Sequence, residues 1–264
     1  MFTKTMFFSA IGVLALLPVE ARAGITLGTA GNFAVLAGSG VTNTGSTVIN
    51  GGDVGSSPTT SITGFGPGTI TSPYTINNAA AAQAQTDLTT AYNAAAGYAG
   101  GTTLTGDLGS RTLTPGVYTY SSSAGLTGTL TLDDLGNSNA LFVFQIGSTL
   151  TTATDSSVVV TNPGSTPDCN VFWQVGSSAT LGTGTAFQGH ILALTSITMN
   201  TGATITEGSA LARNGAVTLA SNTITNCASS GAAVPEPATA TLVLIGAGLA
   251  GMLTLATRSR RQPT

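Results

Sequence analysis

Charge is almost missing from the middle of this sequence. Between Gly24 and Ala233 the only basic residues are Arg111 and Arg213. The acidic ones are Asp53, Asp87, Asp107, Asp133, Asp134, Asp155, Asp168 and Glu207. Without a basic footprint, a nucleic-acid partner is excluded, because nothing can displace the phosphate counterions. Attachment of this region to anionic lipid headgroups is excluded for the same reason. Histidine occurs once, as His190, and cysteine twice, as Cys169 and Cys227. One histidine after Gly189 at a strand start reads as a surface or hydrogen-bonded residue rather than a catalytic base. Asp133 and Asp134 precede Gly136 and Asn137 and read as a turn, not as a carboxylate pair or a cation site. Asp53 and Asp107, each beside glycine, read the same way. Gly51-Gly52 lacks the lysine and following helix of a phosphate loop. Solenoid enzymes that cut polysaccharides gather acids and bases on one face, and the basic partners are missing here. The sequence therefore reads as a non-enzyme, with no cofactor and no metal implied.

What is present is threonine, serine, asparagine and glycine on a chain rich in valine, isoleucine and leucine. The apolar content separates it from disordered chains, and the composition favours strands and turns. Both ends differ from the middle. Lys4, the apolar run Met6–Leu17 and Ala21-Arg22-Ala23 form a secretory signal, so residues 1–23 are expected to be removed. At the other end Val234-Pro-Glu-Pro237 precedes an apolar run, Ala238–Ala256, and then Arg258, Arg260 and Arg261. That run is long enough to cross a bilayer, with its arginines on the inside. Residues 24–233 remain as one domain. Export through an oxidising compartment favours a Cys169–Cys227 disulfide over two separate buried thiols.

One segment of the domain is helical. From Asn78 to Gly97 it is alanine-rich, with Ala81, Ala84, Leu88, Tyr92 and Ala95 on one stripe. Asn77 or Asn78 caps its start and Gly97 ends it. A single helix of this length is marginal alone, so the stripe is expected to pack on a sheet. The rest reads as short strands: Phe33–Leu36, Gly116–Tyr120, Leu126–Leu132, Leu141–Ile146 and Val158–Val160, separated by Gly, Asn, Ser and Pro. Trp173 and Tyr118 lie in apolar runs and read as core.

The second half repeats. Ala179–Phe187 aligns with Ile197–Ile205, and Val217-Thr-Leu219 follows Ile197-Thr-Met199. Val143–Thr149 echoes Phe172–Ser178, and Asn43–Val48 echoes Asn200–Ile205. A period of about 18 to 20 residues, with two or three strands per unit, describes a solenoid coil. Stacked coils align their outward residues in columns, one of Thr183, Thr201 and Ser221 and another of Thr180, Thr198 and Thr218.

Two resemblances follow. The C-terminal tail resembles a PEP-CTERM sorting signal, with Pro235, Glu236 and Pro237 as the motif, then the apolar span and the arginines. The resemblance implies processing by an exosortase-type enzyme in an exopolysaccharide-making Gram-negative bacterium. It places the product at the cell surface or in the extracellular matrix, with membrane contact only through the unprocessed tail. The domain resembles the bacterial and fungal ice-binding family. The carrying segments are Leu27–Gly38, Ala82–Asn93, Leu113–Tyr118, Phe142–Gly147, Val171–Gly176, Ile191–Ile197 and Ala210–Val217. The resemblance implies a mainly β fold, a right-handed discontinuous β-solenoid with one long helix packed alongside. It also implies a flat face that meets the ice crystal surface and carries a Thr-(Ala/Gly)-x-(Thr/Asn) pattern in the more active members. Thr44-Gly-Ser-Thr47 and Thr201-Gly-Ala-Thr204 fit the pattern, while Thr183-Gly-Thr-Ala186 and Thr152-Ala-Thr-Asp155 fit in part. The contact set expected on this basis is Thr44, Thr47, Thr152, Thr154, Thr183, Thr185, Thr201, Thr204, Ser221 and Thr223. The alternative role is a structural or adhesive protein of the exopolysaccharide matrix.

Overall fold

The computed structural model describes residues 24–227, apart from residue 72 and residues 165–168. The expected signal segment, the sorting motif Pro235-Glu236-Pro237 and the apolar run 238–256 lie outside the described residues. Within them the chain winds as a solenoid whose coils turn three corners. The coil that begins at Val171–Val175 shows the logic. It continues through Ala179–Leu181 on a second face and into Ala186–Ala193, which starts on a third. Short strands of apolar–polar–apolar pattern keep one side inward at every face, and Gly and Asn at the corners let the chain turn.

Successive coils stack in parallel. One sheet holds seven strands in the order Ala124–Leu126, Leu150–Thr152, Ala179–Leu181, Ile197–Met199, Val217–Ala220, Val41–Thr44 and Ile62–Thr63. The other two faces form one continuous sheet, because Ala186–Ala193 and Thr204–Ala212 bend across the corner between them. The bend falls at a register shift between Gln188 and His190. Gly189 sits there at φ 100°, and a side chain on it would run into the Val171 carbonyl 2.5 Å away. Only glycine has both the conformation and the clearance.

The stack is discontinuous in sequence. Phe33–Ala37 pairs with Thr204–Ala212, Val41–Thr44 with Val217–Ala220, and Val48–Asn50 with Thr223–Thr225. The N-terminal coils thus sit on the C-terminal coil, and the chain returns to the far end of the stack to continue. The return is the helix Asn78–Ala96. Its 19 residues rise about 28 Å, which equals six interstrand gaps of about 4.8 Å. The face it covers has seven strands side by side, from Asp53–Ser56 to Gly116–Tyr120. Asn77 caps the helix by accepting from the Ala80 N–H, and Ala81, Ala84, Leu88, Ala91, Tyr92 and Ala95 are all buried. They pack on Phe33, Leu36, Val117, Val143, Leu192 and Leu211, which point outward from the sheet.

Inside the solenoid, Tyr118, Phe144 and Trp173 stack from coil to coil, with Phe144 and Trp173 centroids 3.8 Å apart. Trp173 and Tyr118 are therefore core, as their apolar surroundings indicate. Cys169 and Cys227 are joined as a disulfide across a sequence separation of 58. The run Leu126–Leu132 is not one strand. It breaks after Leu126, and Gly128, at φ 77°, turns the corner before Thr129–Asp133 begins.

Candidate functional site

The helix closes one of the three faces, leaving two open. The seven-stranded face carries a single row of threonines. Register pairs Thr151 with Thr180, Thr180 with Thr198, Thr198 with Thr218, Thr218 with Thr42, and Thr42 with Thr63. Six consecutive coils thus present threonine at the same outward position, over about 24 Å. Inward neighbours fix the direction of the first five threonines: Leu150 and Thr152, Ala179 and Leu181, Ile197 and Met199, Val217 and Leu219, and Val41 and Asn43 are all buried. Gly125 occupies the row's next position at one end.

Two properties single this face out. First, no charged residue flanks the ladder threonines along their strands. The residues two before each ladder threonine are Thr149, Ser178, Ser196, Ala216, Gly40 and Ser61. Those two after are Ala153, Gly182, Asn200, Ala220 and Thr44, with Phe65 at the last coil. Secondly, no ladder hydroxyl bonds to a protein group among the described residues, so each is left to water. The third face is different. Thr129 and Ser157 bond each other at 2.8 Å, Thr71 donates to Asn50, and Gln188 donates to Glu207. Val48, Val159, Ala186 and Gln188 also interrupt its threonines.

The expected contact set is divided by the corner beside the ladder. Thr44 is exposed on the ladder face, paired with Ala220. Thr154, Thr183, Thr201 and Ser221 are exposed in the turns that border it. These turns are stacked by the bonds Asp155 N–H to Thr183 O, Gly184 N–H to Thr201 O and Ser221 N–H to Thr44 O. Thr204 and Thr223 lie beyond the turn, register partners on the third face and half-buried. They do not share a face with Thr201, because the corner intervenes.

Thr47, Thr152 and Thr185 are inside the molecule, 0%, 3% and 0% exposed, and cannot meet an external surface. Their work is at the corner. Gly182 N–H donates to Thr152 Oγ1, Thr152 and Thr185 hydroxyls bond at 2.7 Å, and Thr185 donates to the Ala153 carbonyl. Asn222 N–H donates to Thr47, which donates to Asn43. A tight corner turns backbone groups inward, where an unpaired one is costly, and these hydroxyls satisfy them. Conversely, Thr42, Thr63 and Thr151 belong to the ladder and escaped the sequence reading, while Thr180, Thr198 and Thr218 were legible as a column but stood outside the contact set. The signal was a recurring threonine between two inward residues, once per coil.

Among the described residues no group of three or more His, Cys, Asp or Glu side chains is placed to hold a metal ion. His190 is 3% exposed, hydrogen-bonded through Nδ1 to Ser209 at 2.8 Å and stacked on Phe172. Burial pushes its pKa down to about 4, so it is a neutral packed residue. Asp133 accepts from Asn162 and from the Leu135 N–H, which holds its carboxyl below the usual range in a turn. Asp107 likewise accepts the Gly109 and Thr127 N–H groups. Asp134, by contrast, ends an inward row rather than facing water and is 1% exposed.

Comparison with known proteins agrees with this geometry. Residues 233–261 match the PEP-CTERM protein-sorting motif. An ice-binding protein of Nostoc sp. (strain HG1) is 56% identical over 86% of this chain and 84% of its own. The crystal structure of an ice binding protein from an Antarctic biological consortium superposes with a TM-score of 0.73 at 49% identity, covering 82% of this chain and 96% of the other. That of the ice-binding protein from the ascomycete Antarctomyces psychrotrophicus gives 0.70 at 45% identity, covering 77% and 98%. With residues 35–225 matching the ice-binding-like family model, the chain belongs to the ice-binding-like family.

Proposed function

We propose that this protein binds ice and holds back its growth and recrystallisation by adsorption, and that the threonine ladder is the contact face. The observation that carries the reading is the row Thr151, Thr180, Thr198, Thr218, Thr42 and Thr63, one threonine per coil in unbroken parallel register, with no hydroxyl bonded to a protein group among the described residues. Each threonine offers a methyl group that gains by leaving bulk water and a hydroxyl that holds an ordered water. The side chain is stiff at χ1, so docking costs little entropy. Strand stacking sets the spacing along the row at about 4.8 Å, close to an oxygen repeat in ice. Thr44, Thr154, Thr183, Thr201 and Ser221 widen the face at its border. No covalent chemistry is needed, and the protein acts as a binder rather than an enzyme.

The ends of the chain set where this happens. In this reading the secretory signal 1–23 exports the protein, and an exosortase-type enzyme processes the tail 234–264 and its span 238–256. The domain 24–233 then works at the cell surface or in the extracellular matrix. The matrix-protein role draws support from the sorting motif alone, whereas the free hydroxyls of the ladder favour ice. Recrystallisation inhibition by the purified protein tests the proposal. The expected result is small, persistent ice grains at micromolar protein. Grains that coarsen as fast as in buffer would remove it.

A further inference from the structure

A second feature lies off the ladder and concerns the charge the domain so nearly lacks. The described residues contain two arginines. Arg111 is closed within its own loop, where its guanidinium donates to the carbonyls of Asp107 and Thr105. Arg213 is held differently. It sits in the turn between Thr204–Ala212 and Val217–Ala220, with its guanidinium 4.7 Å from the ring centroid of Tyr92. Its Nε donates to Thr89 Oγ1 at 3.3 Å. The two terminal nitrogens meet no protein acceptor among the described residues. Tyr92 is itself 8% exposed and fixed by a bond from Gln174, so the guanidinium is stacked on a rigid ring. A planar, positioned guanidinium with its outer edge unused is the standard receptor for a carboxylate, which it grips with two parallel bonds.

The space before that edge is a groove of about 430 Å³. One wall is the helix, through Gln85, Thr86, Thr89 and Thr90, the other is Arg213 with Asn214, and Ser57 and Pro58 complete the lining. Hydroxyl and amide groups share its surface with the Pro58 ring and the aliphatic parts of the helix side chains. Gln85 is anchored by donating to the Ala212 carbonyl, and Thr86, Thr89 and Thr90 donate to helix carbonyls one turn back. The Thr86 and Thr90 oxygens are left as acceptors, while that of Thr89 accepts from Arg213. No carboxylate lines the groove: Asp87, on the same helix, is turned to Thr29 instead. A ligand that satisfies this lining carries one negative planar group and many hydroxyls.

We propose that the Arg213 groove binds an acidic saccharide, with a uronate carboxylate on the guanidinium and sugar hydroxyls on the threonine and amide wall. A phosphate would call for more than one cation, and the groove offers only Arg213. The assignment stands apart from the ladder and from any ice activity.

Isothermal titration of the full-length chain with trigalacturonate, maltotriose and acetate tests it. The expected result is saturable, salt-sensitive binding of trigalacturonate, with maltotriose and acetate at least tenfold weaker. R213Q should weaken trigalacturonate at least tenfold, R213K less so, and R111Q not at all. Should R213Q fail to fold by circular dichroism, T90E replaces it, because it places a carboxylate in the groove without removing an Arg213 contact. T90E should also abolish binding. Absence of trigalacturonate binding at millimolar concentration overturns the proposal. So does equal binding of maltotriose, or wild-type affinity in the folded R213Q or T90E variant.

Discussion

A threonine in this chain serves one of two ends, according to the side of the backbone on which it falls. Thr198 stands between inward Ile197 and Met199 and keeps its hydroxyl for water. Thr152 follows the outward Thr151, turns inward, and accepts the Gly182 N–H at 2.8 Å. Replacing Thr152 with valine keeps the shape but leaves that amide buried without a partner. It should cost about 1–3 kcal/mol in urea unfolding, whereas Thr198→Val should stay within about 0.5 kcal/mol. Sequence alone could not separate these threonines reliably. A period-two strand fixes direction only until the next corner, and the corners at Gly184, Gly202 and Ser221 adopt positive φ and reset it. His190 makes a residue-scale prediction of its own. The folded chain keeps it neutral down to about pH 4, while the unfolded chain protonates it near its ordinary value of 6.5. Stability is therefore complete above that value and falls as pH drops toward 4, by up to roughly 3 kcal/mol. Denaturant midpoints measured from pH 7.5 to 4.5 should show this slope, and His190→Gln should flatten it.

At the scale of elements, the helix was the easiest part to read and the corners were the hardest. An alanine-rich stripe between Asn77 and Gly97 has no rival interpretation, and its ends fell where the capping residues lie. The run Leu126–Leu132 misled because Thr127 and Gly128 preserve the even spacing of the leucines, so the alternation reads straight through a turn. The disulfide is the element-scale staple. Cys227 follows the last strand, Thr223–Thr225, and ties it to the segment before Val171–Val175, a strand three places away in the sheet. Closing a loop with this separation of 58 restricts the unfolded chain by about 4 kcal/mol in the chain-entropy account. The Cys169→Ser, Cys227→Ser double variant should lose about 2–5 kcal/mol of stability. Hydrogen exchange should quicken first at Thr223–Thr225, and unchanged protection there would contradict the staple's assignment.

The whole molecule shows what no local pattern reveals. The echo of Asn43–Val48 in Asn200–Ile205 places the N-terminal coil in the same architecture. Only the fold shows that it stacks on the last coil and so extends the ladder from four threonines to six, by adding Thr42 and Thr63. The helix makes this possible by carrying the chain back along the stack while closing the face opposite to further contacts. What remains open is one bonded, interrupted face and one free, regular face. The claim that the free face meets ice is tested most directly by placing a bulky ring on each in turn. Thr180→Tyr and Thr218→Tyr on the ladder are compared with Thr131→Tyr and Thr206→Tyr on the third face. All four should keep the wild-type melting temperature. Partition of each purified variant into a slowly grown ice hemisphere is then measured. The ladder variants should be excluded from the ice while the third-face variants enter it as the unmodified protein does. Ladder variants that enter ice fully, or third-face variants that alone are excluded, would contradict the account.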